Sequence, residues 1–163
     1  MFDREFVLNA WIVDFARKLS VGIDEGKMTY QPAPGMNTPQ WVFGHLAVCT
    51  DYGLKLLGQP TSCPKAWHAA FGIGSNPAVP PSPQPSKEEL LEAIVSGHTR
   101  LNAAMAKATP EQLAAVDPHD FLVEALPTVG DLLAQLTTAH PAMHLGQLSA
   151  WRRLNGLPGV LGF

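Results

Sequence analysis

Apolar residues recur at spacings of three and four along four stretches of this chain, and no stretch alternates with the two-residue period of a strand. The first stretch, about residues 3 to 23, carries Leu8, Trp11, Ile12, Phe15 and Leu19 as a predicted stripe. Gly22 and Gly26 loosen its end, and Pro32, Pro34 and Gly35 lead into a loop. The second opens on Thr38, a capping residue, with Pro39 at the first helical position and Trp41 starting the apolar pattern. Trp41, His45, Val48 and Tyr52 share one face, while Val42, Leu46, Cys49 and Leu57 fill much of another. This helix is therefore expected to be central, ending at Gly58 and Pro60.

Residues 58 to 85 form a long connection, and Pro77, Pro80, Pro81, Pro83 and Pro85 rule out regular helix in its second half. Upstream, Trp67, His68 and Phe71 stand among small residues, so this segment is expected to pack over one end of the helices. Ser86 and Glu89 are spaced as a capping box before Leu90, Leu91, Ile94, Val95, Leu101 and Met105. Thr109 through Gln112 begin a short helix to about Ala115, and residues 116 to 127 read as irregular. The last helix is predicted from about Thr128 to Asn155, with Gly156 as its cap. Leu133, Leu136, His140, Met143, Gln147, Ala150 and Leu154 form its seam, and Pro141 is expected to kink it without breaking it. The pattern predicts an all-α single domain over residues 1–163. Its architecture is an up-down four-helix bundle with a long Pro-rich connection between helices 2 and 3.

Three histidines change the picture from scaffold to chemistry. His140 and His144 are four residues apart, so they project from one side of a helix about one turn apart. His45, on the central face of the second helix, is the natural third donor. Three neutral imidazoles suit Zn, Ni, Fe, Co or Mn and leave coordination positions open. A water there can be activated, or displaced by a thiolate or carbonyl. His98 and His119 are assigned to solvent; His68 is read first as a surface or loop-packing residue of the aromatic loop, with an acid–base group as the alternative. Asp51 and Asp131 stand out of phase with the histidine faces. Arg152 and Arg153 are read as solvated cations at a helix C-terminus, with attraction of an anionic substrate as the alternative.

Composition narrows the partners. Charged residues make up 15% of the chain, against about 25% in ordinary soluble domains. The low charge implies a large interior or an oligomer, and a homodimer is the simplest expectation. A net charge of −3 with no cationic block disfavours nucleic acid. Cys49 and Cys63 form no CxxC pair, which fits a reducing cytoplasm; Cys49 reads as a small buried thiol. The first residues lack a signal-peptide pattern, and no apolar run reaches membrane-spanning length.

The segment Asn37-Thr38-Pro39-Gln40-Trp41-Val42-Phe43-Gly44-His45-Leu46 resembles the second-helix signature of the DinB-like superfamily. So does His140-Pro141-Ala142-Met143-His144-Leu145-Gly146-Gln147, followed by Trp151, Arg152, Arg153 and Gly156. The loop residues Trp67, Phe71, Gly72, Gly74 and Ser75 are similar to an insertion in one branch. The resemblance, spanning about Asn37 to Pro158, implies a four-helix bundle, frequently dimeric, with a divalent metal on His45, His140 and His144. Some members are thiol-dependent S-transferases or isomerases using a low-molecular-weight thiol, and others look like metal-dependent hydrolases. Pro141 departs from the pattern.

The expected function is thus metal-dependent thiol transfer or hydrolysis on a small molecule. Trp41, Tyr52, Trp67, His68, Phe71 and Gln147 are the candidate pocket residues, with ordinary core packing as the alternative for each aromatic. Hydrolysis lacks an obvious base on the histidine faces, which tilts the reading toward thiol transfer. The competing class is a non-enzymatic metal-binding or metal-stabilised helical sensor or binding module.

Overall fold

Local capping chemistry decides where several of the helices begin. The Thr38 hydroxyl accepts the Trp41 amide at the head of a helix whose first residue is Pro39. Ser86 and Glu89 close a reciprocal capping box, and Thr109 with Gln112 and Thr128 with Asp131 repeat the device.

The computed structural model describes every residue except Phe121, within the irregular 116–127 segment, and the last two, Gly162 and Phe163. In chain order α1 spans Asp3–Ser20, α2 Pro39–Leu56, α3 Lys65–Phe71 and α4 Lys87–Met105. They are followed by α5 Pro110–Ala114, α6 Val129–Thr137 and α7 Ala139–Leu154, and a 3-10 turn covers Glu25–Lys27. The fold is all-α: the described residues contain no strand, and Val116 and Thr128 form an isolated bridge. No helix among them is long and apolar enough to cross a membrane.

The largely apolar surface of α2 makes it the centre, packed most extensively on α4 and also on α3, α6 and α7. Gly97 of α4 allows that close approach, because a Cβ there would overlap the Thr50 side chain. One core cluster joins Val42, Phe43 and Leu46 to Ile12 and Leu19 of α1, Ile94 of α4, and Leu145, Leu148 and Trp151 of α7. A second joins Leu54 and Leu57 to Leu101, Met105, Leu113 and Leu133.

The face that α1 buries is rotated from the predicted stripe. Ile12, Phe15, Ala16 and Leu19 are inside, whereas Leu8 and Trp11 are 52% and 51% exposed. Asn9 takes the inward position because its amide has partners there. It donates to His98 Nδ1 (2.9 Å) and to the Thr137 carbonyl (2.7 Å), and accepts from Asn102 (2.9 Å). His98, expected in solvent, is therefore 3% exposed.

The stretch predicted as one kinked helix is two, interrupted at Thr138 (φ −128°, ψ −81°). Pro141 consequently lies in the first turn of α7, where a missing N–H leaves no helical carbonyl unpaired. The predicted seam through Met143, Gln147, Ala150 and Leu154 faces outward, and Pro141, His144, Leu145, Leu148, Trp151 and Arg152 are the buried set. Arg152 is not solvated: at 3% exposure it donates to the carbonyls of Leu19, Val21 and Pro158, tying α7 to the end of α1.

Candidate metal centre

The interruption at Thr138 keeps His140 and His144 together on the first turns of one short helix, opposite His45 on α2. The ring centroids lie 5.1 Å apart for His45 and His140, 4.6 Å for His45 and His144, and 4.7 Å for His140 and His144. The Nε2 atoms of His45 and His140 approach to 3.2 Å. Trp41, one turn before His45, stacks on it at 4.5 Å and meets His144 edge-on at 5.7 Å. Its indole N–H is anchored on Ser75 Oγ at 2.8 Å.

Hydrogen bonds fix two of the three tautomers. His45 Nδ1 is 2.7 Å from the Phe71 carbonyl, which can only accept, so Nδ1 carries the proton and Nε2 presents a bare lone pair. His144 Nδ1 is 3.0 Å from Gln147 Oε1, an oxygen that also accepts from Asn37 Nδ2 at 2.8 Å. His144 Nδ1 is therefore also protonated, and its Nε2 is bare. Burial pushes His45 down to about 4, with the Phe71 carbonyl opposing and His144 adding. Burial and then the two neighbouring rings push His140 down to about 3, and burial also lowers His144. At neutral pH the three imidazoles are uncharged, the form that ligates.

The donors fit a divalent ion. Two nitrogens each about 2.0–2.1 Å from a tetrahedral ion lie about 3.3 Å apart, and the His45–His140 pair stands at 3.2 Å. A thiolate about 2.3 Å from that ion lies about 3.6 Å from such a nitrogen, and Cys49 Sγ is 3.6 Å from His45 Nε2. His45, Cys49 and His140 each place a donor within 4.8 Å of the others. His140 Nδ1 is buried without a hydrogen-bond partner. Cys49, read from the sequence as a small buried thiol, is the candidate donor that sequence reasoning missed. The signal was present: Cys49 follows His45 by four residues, as His144 follows His140.

The DinB superfamily family model matches residues 15–148, which include every one of these donors. The chain belongs to the DinB superfamily. No curated protein matches it.

In this DinB-superfamily chain His140 and His144 open onto a cavity of about 440 Å³ lined also by Cys49, Tyr52 and His68. Phe71 and Gln147 act behind the rings, as the acceptors for His45 and His144. Gly44 admits the fully buried Phe71 ring, since a Cβ there would overlap it. Trp67 lies elsewhere, edge-on to Phe71 at 6.1 Å and facing an outer groove with Arg17 and Leu91.

Two aspartate–histidine pairs complete the cavity wall. Asp51, fully buried, accepts the Ser62 and Cys63 amides (2.9 and 2.7 Å) and holds His68 Nε2 at 3.2 Å. Asp117, also buried, holds His119 Nδ1 at 2.9 Å, beside the Tyr52 hydroxyl at 3.3 Å. His119 is therefore a wall residue and not the solvent-facing side chain expected. Asp51 was out of phase with the histidine faces because it acts through His68, which the connection brings back to α2.

Proposed function

We propose that this protein is a metal-dependent enzyme in which His45, His140 and His144 hold a divalent transition metal beside a small-molecule pocket. The observation that carries the reading is that His45, Cys49 and His140 place donor atoms within 4.8 Å of one another, with the His144 ring 4.6 and 4.7 Å from the two other imidazoles, and that oxygen acceptors behind His45 and His144 leave both their Nε2 lone pairs bare. Outer partners of this kind are what orient metal-ligating imidazoles. The long helices α1, α2 and α4 and the α6–α7 pair are read as the up-down bundle that frames the centre, with the Pro-rich connection between α2 and α4 covering it.

A divalent ion bound here supplies a Lewis acid that favours the deprotonated form of a coordinated thiol or water. The residues around it supply the rest. His68, held by the buried Asp51 carboxylate, is placed to take a proton at the cavity rim, the acid–base role that hydrolysis needs. Tyr52 and His119, fixed by Asp117, offer a second polar contact. The 3.6 Å approach of Cys49 favours it as an additional donor. Thiol transfer and hydrolysis are the two reaction classes, with a low-molecular-weight thiol as the co-substrate of the first. Free Cys49 and Cys63 support a cytoplasmic location, and exposed Val7, Leu8 and Trp11 on α1 support a homodimer.

The test is elemental analysis of untagged protein beside the His45/His140/His144 triple alanine variant. Stoichiometric metal in the wild type and none in the variant is expected; equal metal in both overturns the site. A metal-loaded wild type that stays silent against a broad screen of thiols, electrophiles and esters favours the sensor or binding module.

A further inference from the structure

We infer that the cavity beside the histidines takes an uncharged, largely apolar group, so that only the ligand's head, at the histidine end, is polar. This rests on the reading of the cavity as the substrate site and names its ligand class. The volume of about 440 Å³ is that of a small-molecule pocket. Most of its lining is apolar, from side chains such as Val48, Ile73, Leu132 and Met143, with polar atoms from Tyr52, His119 and Gln135. Ile73 and Met143 are 73% and 55% exposed, which leaves apolar side chains standing in water at the cavity wall. Apolar side chains beside a few placed polar groups are the lining that small-molecule pockets present.

Charge argues the same way. Among the described residues no lysine or arginine lines the cavity. The cation that the sequence offered for an anionic substrate, Arg152, is buried and occupied by the Leu19, Val21 and Pro158 carbonyls. The two buried carboxylates behind the wall, Asp51 and Asp117, are of the sign that repels an anion. Their negative charge reaches the cavity only through His68 and His119, so a cationic tail finds no exposed carboxylate to pair with. Burying an unpaired charge in such a pocket costs far more than burying an uncharged tail of the same shape. The ligand tail is accordingly neither an acidic peptide nor a phosphorylated group.

Three probes sharing one polar head test this: the plain alcohol 4-butylbenzyl alcohol and two ions with the same hydroxymethyl head, in which the butyl chain ends in a carboxylate or an ammonium group, titrated into metal-free protein carrying methyl-labelled methionine. The Met143 methyl resonance reports the cavity. The alcohol is expected to shift it and to bind about tenfold or more tightly than either ion, equivalent to about 1.4 kcal/mol. The exposed-site variant Ile73→Glu, which has no packing role to lose, is expected to weaken the alcohol about fivefold or more through the charge brought to the wall. Equal or tighter binding of either ion, no shift with any probe, or an unchanged affinity in Ile73→Glu overturns the inference. Because these titrations contain no metal, they stand or fall separately from the elemental analysis that tests the metal site.

Discussion

His98 gives the sharpest quantitative handle on the fold. Asn9 spends both amide hydrogens, one on His98 Nδ1 and one on the Thr137 carbonyl, so Nδ1 must be the acceptor nitrogen and the ring must be neutral. Burial accordingly pushes its pKa down to about 4 from the ordinary 6.5. The unfolded chain then binds a proton that the folded chain refuses between pH 6.5 and pH 4. Stability contributed by neutral His98 is complete above pH 6.5 and is lost as pH falls toward 4. Between pH 7 and pH 5 the loss from this one group works out at about 2 kcal/mol. The comparison is His98→Asn, whose amide oxygen can still accept from Asn9 but cannot titrate. Urea denaturation followed by tryptophan fluorescence, in chelator at pH 7 and pH 5, gives the two stabilities for each protein. The variant starts lower, because it loses ring packing, yet its stability is expected to fall by about 2 kcal/mol less over this interval. Buried His45 and His140 titrate in both proteins and cancel in the difference. Parallel losses in the two proteins would falsify the buried neutral assignment.

Three further outcomes follow from contacts around the centre. Gly44→Ala drives a methyl into the Phe71 ring and should cost about 1–3 kcal/mol in urea denaturation, with zinc affinity in chelator competition falling because α3 carries the acceptor of His45. Asp51→Asn replaces one oxygen of the pair that holds the Ser62 and Cys63 amides and His68, and should destabilise by about 2–3 kcal/mol in urea denaturation while slowing any hydrolytic turnover. Cobalt-loaded wild type should show a near-ultraviolet sulfur-to-metal band that Cys49→Ser lacks; identical spectra would remove Cys49 from the donor set.

What could be read directly from the chain was whatever local chemistry decides. Thr38 with Pro39 and Ser86 with Glu89 start their helices by bonds to amides three residues away, so the residues that make the signal also make the structure. The belonging to the DinB superfamily and the central place of α2 were legible for a similar reason. The inward phase of α7 was not. A seam drawn through Leu133 and Leu136 is carried past Thr138 only if the helix is continuous, and the turn there resets the phase by about one position. His98 and Arg152 were misplaced because each looks charged or polar in sequence, and each is buried by partners 89 and 133 residues away. Polar burial of this kind is a tertiary bargain that no window of neighbouring residues contains.

Phe71 serves the centre through its main chain. Because the group that orients His45 is a peptide oxygen, no replacement of side chain at position 71 can delete it; replacements can only shift where it stands. The proton on that imidazole is thus governed by how closely a seven-residue helix sits against a bare glycine. Drift in the filling of that one contact would retune the reactivity of the ring while leaving every residue that touches a ligand unchanged.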